Sequence, residues 1–240
     1  MKGKMILFLG IALAYVPSSF AQPTGSYVGL GVARATYYIK DMTFDTLPYS
    51  YLFTGNPAIS SSHDNSSTTS TWTLYGGYQF TRYIGVEALY QPIGMYTRRG
   101  SNRGLVDPGL VNRAGLGGHT YLNISDIDTL DLQTYGIAAV ATVPVADYIF
   151  IIGRGGGVYW TGTLDRATTV YDVVGREVKT INSTEDGAGY SPMIGVGLRI
   201  EVKRGFSVRA DWMHIDSIGG GLSTGKSYAN ISSFSVQINI

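Results

Sequence analysis

His214 lies two residues before Asp216 and three before Ser217 in the stretch HIDS. These are the side-chain types of a general base, an orienting carboxylate and a nucleophile, the set that hydrolytic catalysis uses. On an extended strand His214 and Asp216 share a face while Ser217 points to the other, so the spacing does not by itself build a triad. The remaining histidines, His63 and His119, fall in loop sequence without fixed geometry. A second pattern, GGGLSTGKS at residues 219–227, fits G-x-x-x-x-G-K-[ST] through Gly220, Gly225, Lys226 and Ser227. A phosphate loop requires a strand before the glycines and a helix after them. The thirteen residues after Ser227, YANISSFSVQINI, alternate polar and apolar with a period of two and offer no helix, so the match reads as a loop in a chain with 32 glycines.

A third set of residues is defined by parity. In FSVRADWMH, Phe206, Val208, Ala210 and Trp212 share one face, with Ser207, Arg209, Asp211 and Met213 opposite. In MIGVGLRIEV, Ile194, Val196, Leu198, Ile200 and Val202 oppose Gly195, Gly197, Arg199 and Glu201. YIGVEALY sets Glu87 and small or apolar neighbours against Ile84, Val86, Ala88 and Tyr90, and IIGRGGG isolates Arg154 among glycines. Glu87, Arg154, Arg199, Glu201, Arg209 and Asp211 thus form a candidate polar network on one side of several strands.

Elements that place these charges together are legible along the chain. Strands are expected at about Ser26 to Tyr38, Thr71 to Phe80, Tyr83 to Tyr96, Leu130 to Val143, Asp147 to Thr161, Gly189 to Val202, Gly205 to Asp216 and Asn230 to Ile240. The links alternate between hairpin turns (Thr81 and Arg82; Pro144 to Ala146; Lys203 and Arg204) and long loops at about 39–70, 97–129, 162–188 and 217–229. Eight alternating segments with short turns at one end and long loops at the other are the anatomy of an antiparallel up-and-down transmembrane β-barrel. An Arg or Lys facing lipid at mid-depth costs roughly 2–4 kcal/mol, so the charged face is expected inside. A soluble barrel with an apolar lumen would need the reverse arrangement. Phe80, Tyr83, Tyr148 and Phe206 border the short turns, and Tyr37, Tyr96, Tyr159, Trp160 and Trp212 approach the long loops, as two interfacial girdles would. Arg34 shares the parity of Val28, Leu30 and Val32, which calls for a snorkelling position near the rim or for a bulge.

Bulk composition agrees with export to a membrane. Residues 1–21 run from Lys2 and Lys4 through an apolar stretch to a small-residue exit at Ser19 and Ala21, the layout of a cleaved signal peptide. Cleavage there leaves 219 residues with 16 basic and 17 acidic side chains, a formal charge of −1, which recommends no nucleic-acid partner. Charged residues make up only 15% of the chain, and there is no cysteine to form a disulfide or a thiolate metal site. Acid and histidine spacing points to no metal, and no cofactor motif stands out.

The stretches TWTLYGGYQFTRYIGVEALY, GVGLRIEVKRGFSVRADWMHID and NISSFSVQINI resemble hairpins and the closing strand of the OmpA-like outer-membrane β-barrel proteins. The resemblance covers the strands of residues 22–240 and none of the long loops. It implies an eight-stranded barrel in the bacterial outer membrane with both termini in the periplasm. It also implies an interior ion-pair cluster, with Glu87, Arg154, Arg209 and Asp211 at positions where such barrels carry lumen charges. The chain stops at the last strand, without the peptidoglycan-binding domain of some relatives, and ends in Ile240 where such barrels usually end in an aromatic residue.

Loop two gathers Arg98, Arg99, Arg103 and Arg113 around a single acid, Asp107, a composition suited to lipopolysaccharide phosphates or an acidic host glycan. The alternative is a solvated loop that binds nothing in particular. Sequons at Asn65, Asn123, Asn182 and Asn230 read as ordinary loop and rim residues in a bacterial barrel. Eight strands enclose an interior just wide enough for side chains, which disfavours a wide porin. The expected function is therefore a noncatalytic outer-membrane protein in contact with membrane lipid and with extracellular or host ligands through its loops. A narrow channel gated by the Glu87, Arg154, Arg209 and Asp211 cluster, and a hydrolase using His214, are the alternatives.

Overall fold

The computed structural model describes residues 24–39, 52, 58–59, 66–203, 205–220, 222 and 227–240. The signal-peptide segment, His63, Asn65, Gly225 and Lys226 lie outside the described residues. Nine strands follow in chain order: β1 (Gly25–Ile39), β2 (Ala58–Ile59), β3 (Ser66–Gln79), β4 (Ile84–Leu105), β5 (Tyr121–Ala146), β6 (Ile149–Tyr171), β7 (Glu177–Lys203), β8 (Phe206–Ile218) and β9 (Ser227–Asn239). Among the described residues one short helix, α1 (Pro108–Arg113), sits between β4 and β5.

All of the long strands pair antiparallel with their neighbours. Because β1 pairs with both β3 and β9, and β4 with β5, the eight long strands close into a ring with no free edge through its wall. The two-residue β2 lies outside that ring and pairs with β4 at Arg103 and Asn102. Ser227 opens strand β9 and no helix follows it, which removes the phosphate-loop reading.

The alternation expected from the sequence is the alternation of the barrel. Val28, Leu30, Val32, Trp72, Leu74, Ile84, Ile137, Ile194, Val196, Leu198, Val236 and Ile238 all face outward and are exposed. Tyr90, Tyr135, Tyr159 and Tyr190 are consecutive cross-strand partners on β4 to β7 and form an outward aromatic row, with ring centres 5.0 Å apart for Tyr90 and Tyr135 and 5.1 Å apart for Tyr159 and Tyr190. Trp72 extends the row at 5.1 Å from Tyr90, and Tyr38 stacks on Tyr228 farther round. Tyr78, Phe80 and Tyr148 are exposed toward the turn end.

Three aromatics assigned to the girdle belong elsewhere. Tyr37, Tyr96 and Trp160 point inward and are buried with Leu132, Leu164, Met193, Ile215, Ile218 and Leu222. They fill the lumen above its charged layer, where an eight-stranded ring leaves room for side chains and little else. The interior is therefore stratified, and β5 shows each layer in turn. Its inward residues run from Thr142 and Ala138 up through Leu132 and Leu130 to Asp128 and Asp126, then to Ile124 and Leu122.

The strands also run farther than expected. Residues 97–105, 121–129, 162–171 and 177–188, read as loop, are strand in β4 to β7. Above the aromatic row these four strands stand as a wall, paired from Asn123 to Tyr135 on β5 with Arg103 on β4 and Tyr171 on β6 at the upper end. At about 3.3 Å per residue, those twelve steps carry the wall roughly 40 Å along the strand. Beyond the aromatic row most outward residues are polar, among them Asp131, Gln133, Asp165 and Asp186, with exposed apolar exceptions such as Met95 and Ile127, and the two-residue hydrophobic period disappears. The second short turn moves as well: β5 continues to Ala146 through an irregularity at Pro144, and Asp147 and Tyr148 make the turn.

A second, smaller core closes the tip. Asp107 caps α1 by accepting from Gly109 N at 2.7 Å and Leu110 N at 3.3 Å, with proline in the first turn. The helix buries Val111, and Leu116 just beyond it, against Leu122, Ile124 and Val170 of the wall, with Leu52 from the first long connection. The β6–β7 turn is held by Asp172, whose carboxylate accepts from the backbone N–H of Arg176 at 2.8 Å and of Val174 at 2.9 Å. Those bonds hold its carboxyl below the usual carboxylate range.

Candidate functional site

The charged layer of the lumen is built from β4, β6 and β8. Inward parity brings Glu87, Arg154, Arg209 and Asp211 together, with Glu87 0% and Arg209 1% exposed. Arg209 Nη1 reaches Glu87 Oε2 at 2.6 Å and its Nη2 reaches Oε1 at 3.3 Å, a bidentate grip. Arg209 Nε donates to Asp211 Oδ1 at 2.9 Å, and Arg154 Nη2 donates to the same oxygen at 2.7 Å. Arg154 Nη1 lies 3.3 Å from Glu87 Oε1 and closes the ring. Two cations and two anions cancel, so the layer holds four charges and no net field.

Neighbouring strands complete its coordination. Tyr27 on β1 donates its hydroxyl to Glu87 Oε2 at 3.2 Å, and the Tyr75 ring on β3 lies under the Arg209 guanidinium at 4.6 Å. Tyr75 shares a 2.9 Å hydrogen bond with Ser235 on β9. Parity alone does not single out Tyr27, Tyr75 and Ser235, because an inward tyrosine in a strand looks like any other aromatic and an inward serine like any other small polar residue. The available signal lay in the glycines: a Cβ at Gly77 would collide with the Tyr27 ring, and one at Gly29 with the Tyr75 ring. Gly197 has the same meaning, since the Asp211 carboxylate lies over its Cα, and Gly195 makes room for the stem of Arg154.

Arg199 and Glu201 lie on the same inward face of β7, nearer the turns. Arg199 is buried with its guanidinium 4.6 Å from the Phe150 ring centre, a cation–π contact. Among the described residues no ion pair joins Arg199 or Glu201 to the four-charge layer. A second polar layer separates the apolar filling from the tip core: Arg166 Nε donates to Asp128 at 2.8 Å, and Thr168 donates to Asp126.

Three of the four arginines of loop two lie in strand β4 and the fourth in α1. Arg99 and Arg103 project from the exposed side of β4 opposite Ile127 and Asn123, and the backbone of Arg98 pairs with that of Asp128. Arg113 is exposed in the last turn of α1. The segment that carries Arg98, Arg99 and Arg103 is thus strand where a loop was expected.

His214 faces outward on β8. Its Nδ1 is 2.7 Å from Asn230 Oδ1, its ring stacks on Trp212 at 6.2 Å and meets Tyr228 at 5.5 Å. Asn230, not Asp216, orients the ring, and Ser217 sits at positive φ at the strand end. This is the arrangement of an interfacial aromatic belt. Arg34 also faces outward, and β1 pairs with β3 and β9 without interruption around it, so no bulge redirects it.

The profile of the OmpA-like transmembrane domain matches residues 22–240. Among solved structures, the attachment invasion locus protein Ail of Yersinia pestis is similar at 12% identity and TM-score 0.44, covering 91% of this chain and 100% of that one. Neisserial surface protein A is similar at 12% identity and TM-score 0.45 over 90% and 98%. The outer membrane protein OprG of Pseudomonas aeruginosa is similar at 10% identity and TM-score 0.45 over 90% and 98%. No curated protein matches the chain.

Proposed function

The chain belongs to the OmpA-like transmembrane domain family of outer-membrane β-barrels, and from that premise we propose that it is a noncatalytic surface protein that presents its four-stranded wall to partners outside the cell. In this reading residues 1–21 direct export and are removed, the hairpin-turn end faces the periplasm, and the wall with α1 stands beyond the lipid. The observation that carries it is the continuation of β4 to β7 past the tyrosine row, with a separate core at the tip, over a lumen packed with side chains.

Such a wall costs many ordered residues that contribute nothing to spanning the membrane. Backbone order alone costs about 1–2 kcal/mol per residue, which the tip core and the strand ladder must offset. An element held rigid at that cost, outside the lipid, is placed where a binding surface belongs. Contacts with host or extracellular ligands fall to its exposed polar faces, Arg99 and Arg103 included. A hydrolase at His214 gains no support, because the ring is committed to Asn230 and two aromatic neighbours.

Replacing residues 163–186 with a two-residue turn, which shortens β6 and β7 to barrel height, tests this reading. The expected result is a heat-modifiable, membrane-inserted barrel whose bearer cells lose at least tenfold in adherence to host cells or matrix. Unchanged adherence with a correctly inserted barrel would refute the role assigned to the wall.

A further inference from the structure

The outward faces of β1, β3 and β9 hold an unbalanced charge. These three strands contain one charged residue, Arg34, and no carboxylate. Its cross-strand partners are Ser70 on one side and Ser232 on the other. One outward step nearer the turns, Val32 is flanked in the same way by Trp72 and Phe234. The short serines between larger neighbours leave an open groove of about 820 Å³, lined by Val32, Arg34, Ser70, Trp72, Ser232 and Phe234.

Depth decides what such a groove can hold. Trp72 below Arg34 packs on Tyr90 of the aromatic row, and the Tyr38–Tyr228 stack lies above it, so the guanidinium stands within the interfacial belt. There it is too shallow to be forbidden and too deep to be fully hydrated. A planar guanidinium with a hydroxyl on each side matches the oxygens of a phosphate group, and the apolar floor beneath accepts hydrocarbon. We infer that this groove is a binding site for an anionic membrane lipid, with its phosphate on Arg34, Ser70 and Ser232 and its acyl chain over Val32, Trp72 and Phe234. The site depends on the barrel's residence in a membrane and not on the proposed role of the wall.

Trp72 is a built-in reporter. A full-length chain carrying Trp160→Phe and Trp212→Phe, refolded into phosphatidylcholine vesicles, leaves Trp72 as the emitter. At equal mole fraction, brominated phosphatidylglycerol is expected to occupy the groove about fivefold more than brominated phosphatidylcholine, the preference one basic side chain near a membrane surface confers. Arg34→Gln should bring that ratio to about one, since the charge that sets it is gone. Equal quenching by the two lipids, or a preference that survives Arg34→Gln, would overturn the assignment. Reversal by millimolar inorganic phosphate would assign the groove to a free anion and overturn the lipid reading. Should the two tryptophan replacements prevent refolding, native mass spectrometry of the original chain and of Arg34→Gln reads the same difference as retained anionic lipid.

Discussion

Arg209→Met lowers the stability of the refolded barrel by about 3–5 kcal/mol, the cost of removing one partner from a buried charge pair. The side chain is 1% exposed and supplies three of the contacts in the charged layer, two to Glu87 and one to Asp211. Without it Glu87 and Asp211 share a single cation, Arg154, in a largely buried setting where water screens them little. Pairing Arg209→Met with Glu87→Gln leaves Arg154 and Asp211 balanced and should recover most of the loss. Urea unfolding in lipid vesicles, followed by tryptophan emission, supplies the double-mutant cycle. A coupling energy of about 2 kcal/mol or more is expected, within the range for contacting residues; additive losses would show that the layer is not an interacting unit.

Val196→Arg produces the second large effect. Val196 faces outward midway along the barrel portion of β7, between the exposed ends marked by Tyr190 and Val202, and its neighbours are Gly153 and Trp212. Arginine at mid-depth on the lipid face should cost about 2–4 kcal/mol. Asn182→Arg, on the same strand but beyond the tyrosine row, meets water and should stay within about 0.5 kcal/mol of the parent. Equal costs at the two positions would mean that the lipid boundary does not lie at the tyrosine row.

These two substitutions also mark how far the sequence could be read. Arg209 and Val196 sit on opposite parities of strands whose outer face must be apolar, so their sides were legible from the two-residue period alone. The gathering of Glu87, Arg154, Arg209 and Asp211 follows from inward parity plus a ring narrow enough to force contact. Arg199 shows where that inference ends: it has the correct parity but a position nearer the turns, where the Phe150 ring and Glu201 are its neighbours instead of the carboxylates of the charged layer. Parity fixes a side, whereas height in the barrel depends on register.

The wall was illegible for the complementary reason. Asp131, Gln133, Asp165 and Asp186 face outward on the wall, so the period that marks a membrane strand vanishes although the hydrogen-bond ladder continues. Thr168, Thr169, Val170, Val178, Thr180 and Ile181 carry the residual strand signal, as β-branched residues that suit a pleated ladder without a hydrophobic stripe. Tyr37, Tyr96 and Trp160 were misplaced because an aromatic near a strand end suits either a lipid belt or a lumen filling. Their inward parity separates the two cases once the full strand is known. Asp107-Pro108 was a readable cap for α1, overshadowed by the surrounding glycines and arginines.

Two consequences of this stratification bear on transport. An ion entering from the turn end would meet four mutually neutralised charges and then a filling of Leu132, Trp160, Met193 and Ile215 with few polar groups to replace its hydration, and one entering from the tip would meet the same filling before the charges. In the proposed function the protein's contacts with its surroundings belong to its outside, to the wall and to the groove at Arg34, and not to a path through the lumen. Single-channel recording of the refolded barrel in a planar bilayer tests that claim most directly. A steady baseline, with no discrete openings across the physiological range of potentials, is the predicted result. Reproducible openings whose conductance changes with Arg154→Gln would contradict it and make the charged layer a gate.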